Sequence, residues 1–103
     1  MCVVLCSCPD ETNAQALARS LLKNKLVACI NIIPQIQSLY YWEGKLTESQ
    51  EYLLIGKTLK QRYPQLEHHL KTQHPYDCPE ILCLPVTQGS AAYLAWVKHS
   101  LLA

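Results

Sequence analysis

Glycine is scarce in this sequence, with three among 103 residues. So few cannot build a glycine-rich loop, which excludes phosphate cradles of the P-loop or dinucleotide type. No G-x-S-x-G or H-E-x-x-H pattern occurs either, so nucleophilic and zinc-protease chemistry find no support. Charge of one sign is equally lacking. Nine Lys and Arg against eight Asp and Glu leave a formal net charge of +1. The densest basic group, Lys57, Lys60 and Arg62, reads as a solvated helix start. Neither nucleic acid nor an anionic membrane is therefore an expected partner. No apolar run approaches the ~20 residues that span a bilayer. The apolar opening Met1-Cys2-Val3-Val4-Leu5-Cys6 has no basic flank and meets Pro9-Asp10-Glu11 at once, unlike a signal peptide. The expected location is cytoplasmic.

Cysteine is not scarce, yet its arrangement also excludes. Six cysteines are present without a Cys-x-x-Cys pair or zinc-finger spacing. Cys2, Cys6, Cys8, Cys29 and Cys83 sit inside apolar, strand-like runs, where thiols behave as small hydrophobes. Reduced thiols of a cytosolic protein are expected rather than a disulfide framework.

Half of the residues are hydrophobic, and no repeat, linker or low-complexity stretch interrupts them. That predicts one domain over residues 1–103 with a core of its own. Residues 2–7 form a short apolar run without alternation, the pattern of a central strand buried on both faces. Asp10 has the chemistry of an N-cap, and Ala14, Leu17, Ala18, Leu21 and Leu22 form a helical stripe behind it. A second strand is expected over residues 26–41, with Ala28, Ile30, Ile32, Ile36, Tyr40 and Trp42 on one face. Pro34, which cannot donate to a ladder, marks an edge or bulge there. Glu43-Gly44-Lys45 is the turn, and a third strand runs over residues 46–57. A helix follows over residues 60–72, with Pro64 in its first turn and Leu66 and Leu70 inward. A fourth strand spans residues 80–86. A last helix spans residues 90–102, with Tyr93, Leu94, Val97 and Leu101 inward.

The order is β-α-β-β-α-β plus a C-terminal helix. It predicts the α+β class: a ferredoxin-like split β-α-β, with a four-stranded antiparallel sheet and two main helices on one face. The two central strands are much longer than the usual 5 or so residues. Their far end carries Leu39, Tyr40, Tyr41, Trp42 and Tyr52, which a chain this small cannot bury by itself. Pairing with other copies of the chain is expected.

Few residues carry chemistry. His68-His69 point ~100° apart on a helix and cannot share a metal alone. His74, locked before Pro75, is a positioned imidazole that suits either a ligand or a cap. Cys6-Ser7-Cys8 ends the first strand before a helix N-terminus. These are either buried strand cysteines or thiols whose pKa the helix lowers, and thiolate with imidazole suits copper or zinc. Glu48 and Glu51 lie on a strand without evident partners and read as solvated or interface charges.

Ser38-Leu39-Tyr40-Tyr41-Trp42-Glu43-Gly44-Lys45, with His74-Pro75-Tyr76, Pro79-Glu80-Ile81 and Tyr93-Leu94-Ala95-Trp96, resembles the CutA family of divalent-cation tolerance proteins. Leu26-Val27-Ala28-Cys29-Ile30-Asn31 and Lys57-Thr58 fit as well, so the likeness covers nearly the whole chain in order. It implies a ferredoxin-like fold, a cytoplasmic homotrimer whose hairpins pair across subunits, and a link to copper tolerance. It also implies a copper site from a cysteine ending the first strand and two histidines before Pro-Tyr. The cysteine falls on Cys6 and the second histidine on His74, while Gln73 replaces the first. An amide is a poorer ligand for such a metal, leaving Cys8 or water as the substitute.

The leading expectation is a non-catalytic, trimeric protein that binds copper, or another divalent metal such as zinc, through Cys6 and His74. The rival is a trimeric signalling or small-molecule-binding module with His74, Tyr76 and Lys57 lining clefts between subunits. A trimeric scaffold that recruits another protein is the third. An acylphosphatase-like activity lacks its arginine, because Arg19 belongs to the helix rather than the first loop.

Overall fold

A computed structural model describes residues 1–102. The elements are β1 (Cys2–Cys8), α1 (Glu11–Lys23), β2 (Cys29–Trp42), β3 (Lys45–Thr58), a 3-10 turn (Lys60–Arg62), α2 (Tyr63–Gln73), β4 (Ile81–Pro85) and α3 (Ala91–Leu102). The strands form one antiparallel sheet in the order β2-β3-β1-β4. The α+β split β-α-β arrangement is thus as expected, with β1 paired on both sides. Among the described residues, no helix is long and apolar enough to cross a membrane.

Local chemistry sets the element ends. The Asp10 carboxylate accepts the Asn13 amide at 2.8 Å and caps α1. The helix closes where Lys25, at φ 54°, and Leu26 return their amides to the Leu22 and Leu21 carbonyls. Pro64 starts α2, and the Tyr63 N–H bond back to Lys60 makes the preceding turn 3-10 rather than the α-helix expected from residue 60. Between β2 and β3, Glu43 (φ 52°) and Gly44 (φ 78°) both lie in the left-handed region, giving the two-residue turn whose twist matches a hairpin.

Layering then decides burial. Val4, Cys6 and Cys8 of β1, Leu54 of β3, Ala14, Leu17, Ala18 and Leu21 of α1, and Leu66 and Leu70 of α2 pack into one core between sheet and helices. Leu59, Val97 and Leu101 form a smaller cluster under α3. A Cβ on Gly56 would stand 3.0 Å from Val27 Cγ1, so β3 passes that side chain closely.

Three expectations need correction. Ile36, Tyr40 and Trp42 do not share a face with Ile30 and Ile32. Between Ile33 and Ile36 the ladder slips by one residue around Pro34 and Gln35 (φ 55°). Ile32 therefore opposes Leu54 on the helix side and Ile36 opposes Glu51 on the open side. Leu22 is exposed near the end of α1, and Tyr93 is exposed on α3, stacked on Trp96 at 5.8 Å.

The molecule measures 46 × 26 × 22 Å. A 14-residue strand at ~3.3 Å per residue accounts for the long dimension. The far hairpin, with Leu39, Tyr40, Tyr41, Trp42 and Leu46 exposed, extends beyond any helix of its own chain.

Candidate metal centre

The site is built where β1 outlasts its neighbour. The β1–β4 ladder runs from Cys2 to Cys6, opposite Ile81, and stops. The next carbonyl of β1, that of Ser7, is met by a side chain: His74 Nε2–H donates to it at 2.8 Å. His74 also caps α2, its amide bonded to the Leu70 carbonyl at 2.8 Å, and adopts the extended backbone that Pro75 demands. A carbonyl only accepts, so Nε2 carries the proton. Nδ1 accepts the Tyr76 amide at 3.1 Å. Both ring nitrogens are thereby fixed.

The Cys6 thiol points to the same oxygen, with Sγ 3.8 Å from Ser7 O. The two ligands expected from the sequence therefore converge on one carbonyl. Cys6 is otherwise in the core. The space beside it, lined by Val4, Leu21, Val27, Leu54 and Leu66 among others, is about 10 Å³. That is at the lower limit for one water.

The electrostatics correct one expectation. Proximity to a helix N-terminus does not lower these thiol pKa values. Burial pushes Cys6 up to about 12, with the charges of Cys8, Glu80 and Glu51 adding to it. Burial likewise raises Cys8 to about 11, helped by Asp10, the residue that caps the helix. Cys8 donates to the Tyr52 carbonyl at 3.6 Å.

Glu51, read from the sequence as a solvated or interface charge without an evident partner, is buried and accepts the Tyr76 hydroxyl at 2.9 Å. Burial and this bond raise the Tyr76 pKa. The Tyr76 ring lies 4.9 Å from that of His74. No local pattern pairs Glu51 with Tyr76, since 25 residues separate the two. Gln73 is exposed at the end of α2, and Lys57 is bonded to Asn31 on the open face. His69 bonds Ser20 at 2.6 Å, apart from the site, and with His68 lines an open groove of about 510 Å³ between α1 and α2.

Among the described residues, no group of three or more His, Cys, Asp or Glu side chains is placed to hold a metal ion. A cation at this centre has one thiol, one imidazole and one carbonyl oxygen within reach. That donor set fits a soft or borderline ion once the two protons leave.

Comparison with known proteins gives a consistent result. Residues 2–100 match the family described as "CutA1 divalent ion tolerance protein". A relative from Pectobacterium atrosepticum named "Divalent-cation tolerance protein CutA" is 48% identical, over 96% of this chain and 90% of its own length. One of the same name from Escherichia coli O139:H28 is 50% identical, over 96% and 88%. The solved structure of the divalent cation tolerance protein Cut A1 from Thermus thermophilus superposes with a TM-score of 0.93 at 40% identity, covering 97% of this chain and 98% of that one.

Proposed function

The chain belongs to the CutA1 divalent ion tolerance family, and we propose that it serves divalent-cation tolerance as a cytoplasmic, non-catalytic homotrimer that binds copper through Cys6 and His74. The observation that carries the metal reading is the shared Ser7 carbonyl. Cys6 Sγ–H and His74 Nε2–H both donate to it, so a cation there would replace two protons and keep the oxygen. Copper ranks highest among the divalent first-row metals for such donors, and zinc takes the same ligands less tightly. Gln73 leaves the remaining position to water.

His74 would offer Nε2 only after its proton moves to Nδ1, where the Tyr76 amide now points. Loading therefore trades that contact away and loosens the chain around Tyr76. The raised Cys6 pKa makes the thiol proton a competitor of the metal.

Self-association is supported by the exposed apolar far hairpin together with Leu82 and Leu84 on the edge strand β4. Closed cyclic symmetry makes such contacts self-limiting, and Leu82 and Leu84 face away from the helix-covered side of the sheet.

Calorimetry with Cu(II), and with Cu(I) under reductant, tests the site on the wild type, Cys6→Ser and His74→Ala. Each substitution is expected to weaken binding by more than ~10-fold, since even outer-shell changes cost ~10–100-fold. Unchanged affinity in both variants contradicts the assignment.

A second reading has one observation behind it. The open face carries a polar set, Lys57 with Asn31 and Tyr76 with Glu51, which suits a small ligand between subunits. A thermal shift with small acids or nucleotides, and none with metal, favours it.

A further inference from the structure

The geometry points to a second metal site, formed by Cys2 and Cys83, that binds a soft monovalent d10 cation, Cu(I), between two thiolates. The site is independent of Cys6 and His74. In the β1–β4 ladder Cys2 faces Pro85 and Cys83 faces Val4. The two cysteines are thus diagonal neighbours, two positions apart in register, on the helix-covered face. Cys2 is buried and Cys83 is exposed on the edge strand, so the pair has a closed floor and an open entrance.

Geometry and donor number select the ion. Diagonal partners on antiparallel strands have Cα atoms ~7–8 Å apart, whereas a direct disulfide asks for ~5.5–6 Å. A single ion between the sulfurs, with bonds of ~2.3 Å each as thiolates make to zinc, spans the extra distance. Zinc itself asks for four ligands, and no third His, Cys, Asp or Glu joins the pair among the described residues. Cu(I) is soft, prefers thiolate and accepts two ligands in line. Each thiol gives its proton to solvent as its sulfur–copper bond forms, so two protons are released per Cu(I) and the loaded site carries one negative charge. No electron moves.

The test is an anaerobic Cu(I) titration of the full chain against the competing chelator bicinchoninate. The chelator's visible band and the near-ultraviolet thiolate–copper band are both followed. Wild type, Cys83→Ser, Cys2→Val, Cys6→Ser and Cys78→Ser are compared. Cys83 is exposed and Val fills the Cys2 position, so the fold tolerates both changes. Alkylation of Cys83 by iodoacetamide, mapped by peptide mass, is measured with and without one equivalent of Cu(I). The expected result is chelator-resistant Cu(I) in wild type, with Cys83 protected from alkylation. Cys83→Ser and Cys2→Val should each lose more than ~100-fold in affinity, the upper end of outer-shell losses, while Cys6→Ser and Cys78→Ser keep the Cys83 protection. The proposal is overturned if Cys83→Ser retains wild-type affinity. It is also overturned if Cys83 is alkylated equally fast with Cu(I), or if wild type yields all its copper to the chelator.

Discussion

The helix-covered half of the hairpin and its far half are made from the same two strands, with similar residues. On β3, Leu54 is 1% exposed and Leu46 is 61% exposed. On β2, Ile32 packs against the core while Trp42 is 65% exposed. Strand propensity and hydrophobicity do not separate them. The second layer does: α1 and α2 cover the near half, and the chain has nothing to lay over the far half. A strand's apolar residues are thus a demand for cover, which sequence expresses equally at both ends and the fold meets at only one.

The contrast can be attacked first at its buried side. Leu66→Ala removes a fully buried side chain of α2 from the main core and should cost about 2–5 kcal/mol, read as a large fall in melting temperature. A loss under ~0.5 kcal/mol would mean the near half is no better sealed than the far one. Trp42→Ser probes the other side. In the assembled protein it should cost ~2 kcal/mol or more per subunit, as interface aromatics do. In chains diluted to monomer it should cost less than ~0.5 kcal/mol. Melting at two protein concentrations separates those outcomes, and equal effects at both would remove the distinction.

Much of this was legible beforehand, for identifiable reasons. The α1 stripe and the Asp10 cap follow from spacing and local chemistry, and the antiparallel order follows from element succession. The Ile36 phase was not legible, because Pro34 announces an irregularity without saying whether the ladder slips by one residue. Glu51 was missed because a lone carboxylate on a strand looks solvated. Its partner Tyr76 comes from 25 residues away. Cys6 and His74 were named from resemblance, but their meeting at the Ser7 carbonyl depends on β4 ending opposite Cys6, which no local pattern encodes.

Smaller effects sharpen the picture of the near half. Asp10→Ala should cost about 1 kcal/mol through the lost cap of α1, measurable by urea denaturation. It should leave the oligomeric state untouched, since α1 belongs to the sealed side. The most gradual change is with pH. Cys6 and Cys8 are held near 12 and 11 against an ordinary 9.0. The folded state therefore keeps protons that the unfolded chain releases, and stability is full below pH 9 and declines as pH rises from 9 toward 11 to 12. Melting temperature across that window should fall, and Cys6→Val with Cys8→Val should flatten the slope. A stability that rises there would contradict the burial of those thiols.

The central claim is that the far hairpin is covered by other copies of the chain. Sedimentation equilibrium of the wild type at micromolar concentration tests it most directly. The expected mass is three times that of the 11.7 kDa chain, reduced toward a single chain when Tyr41 and Trp42 are both changed to Ser. A wild-type mass of 11.7 kDa would contradict it.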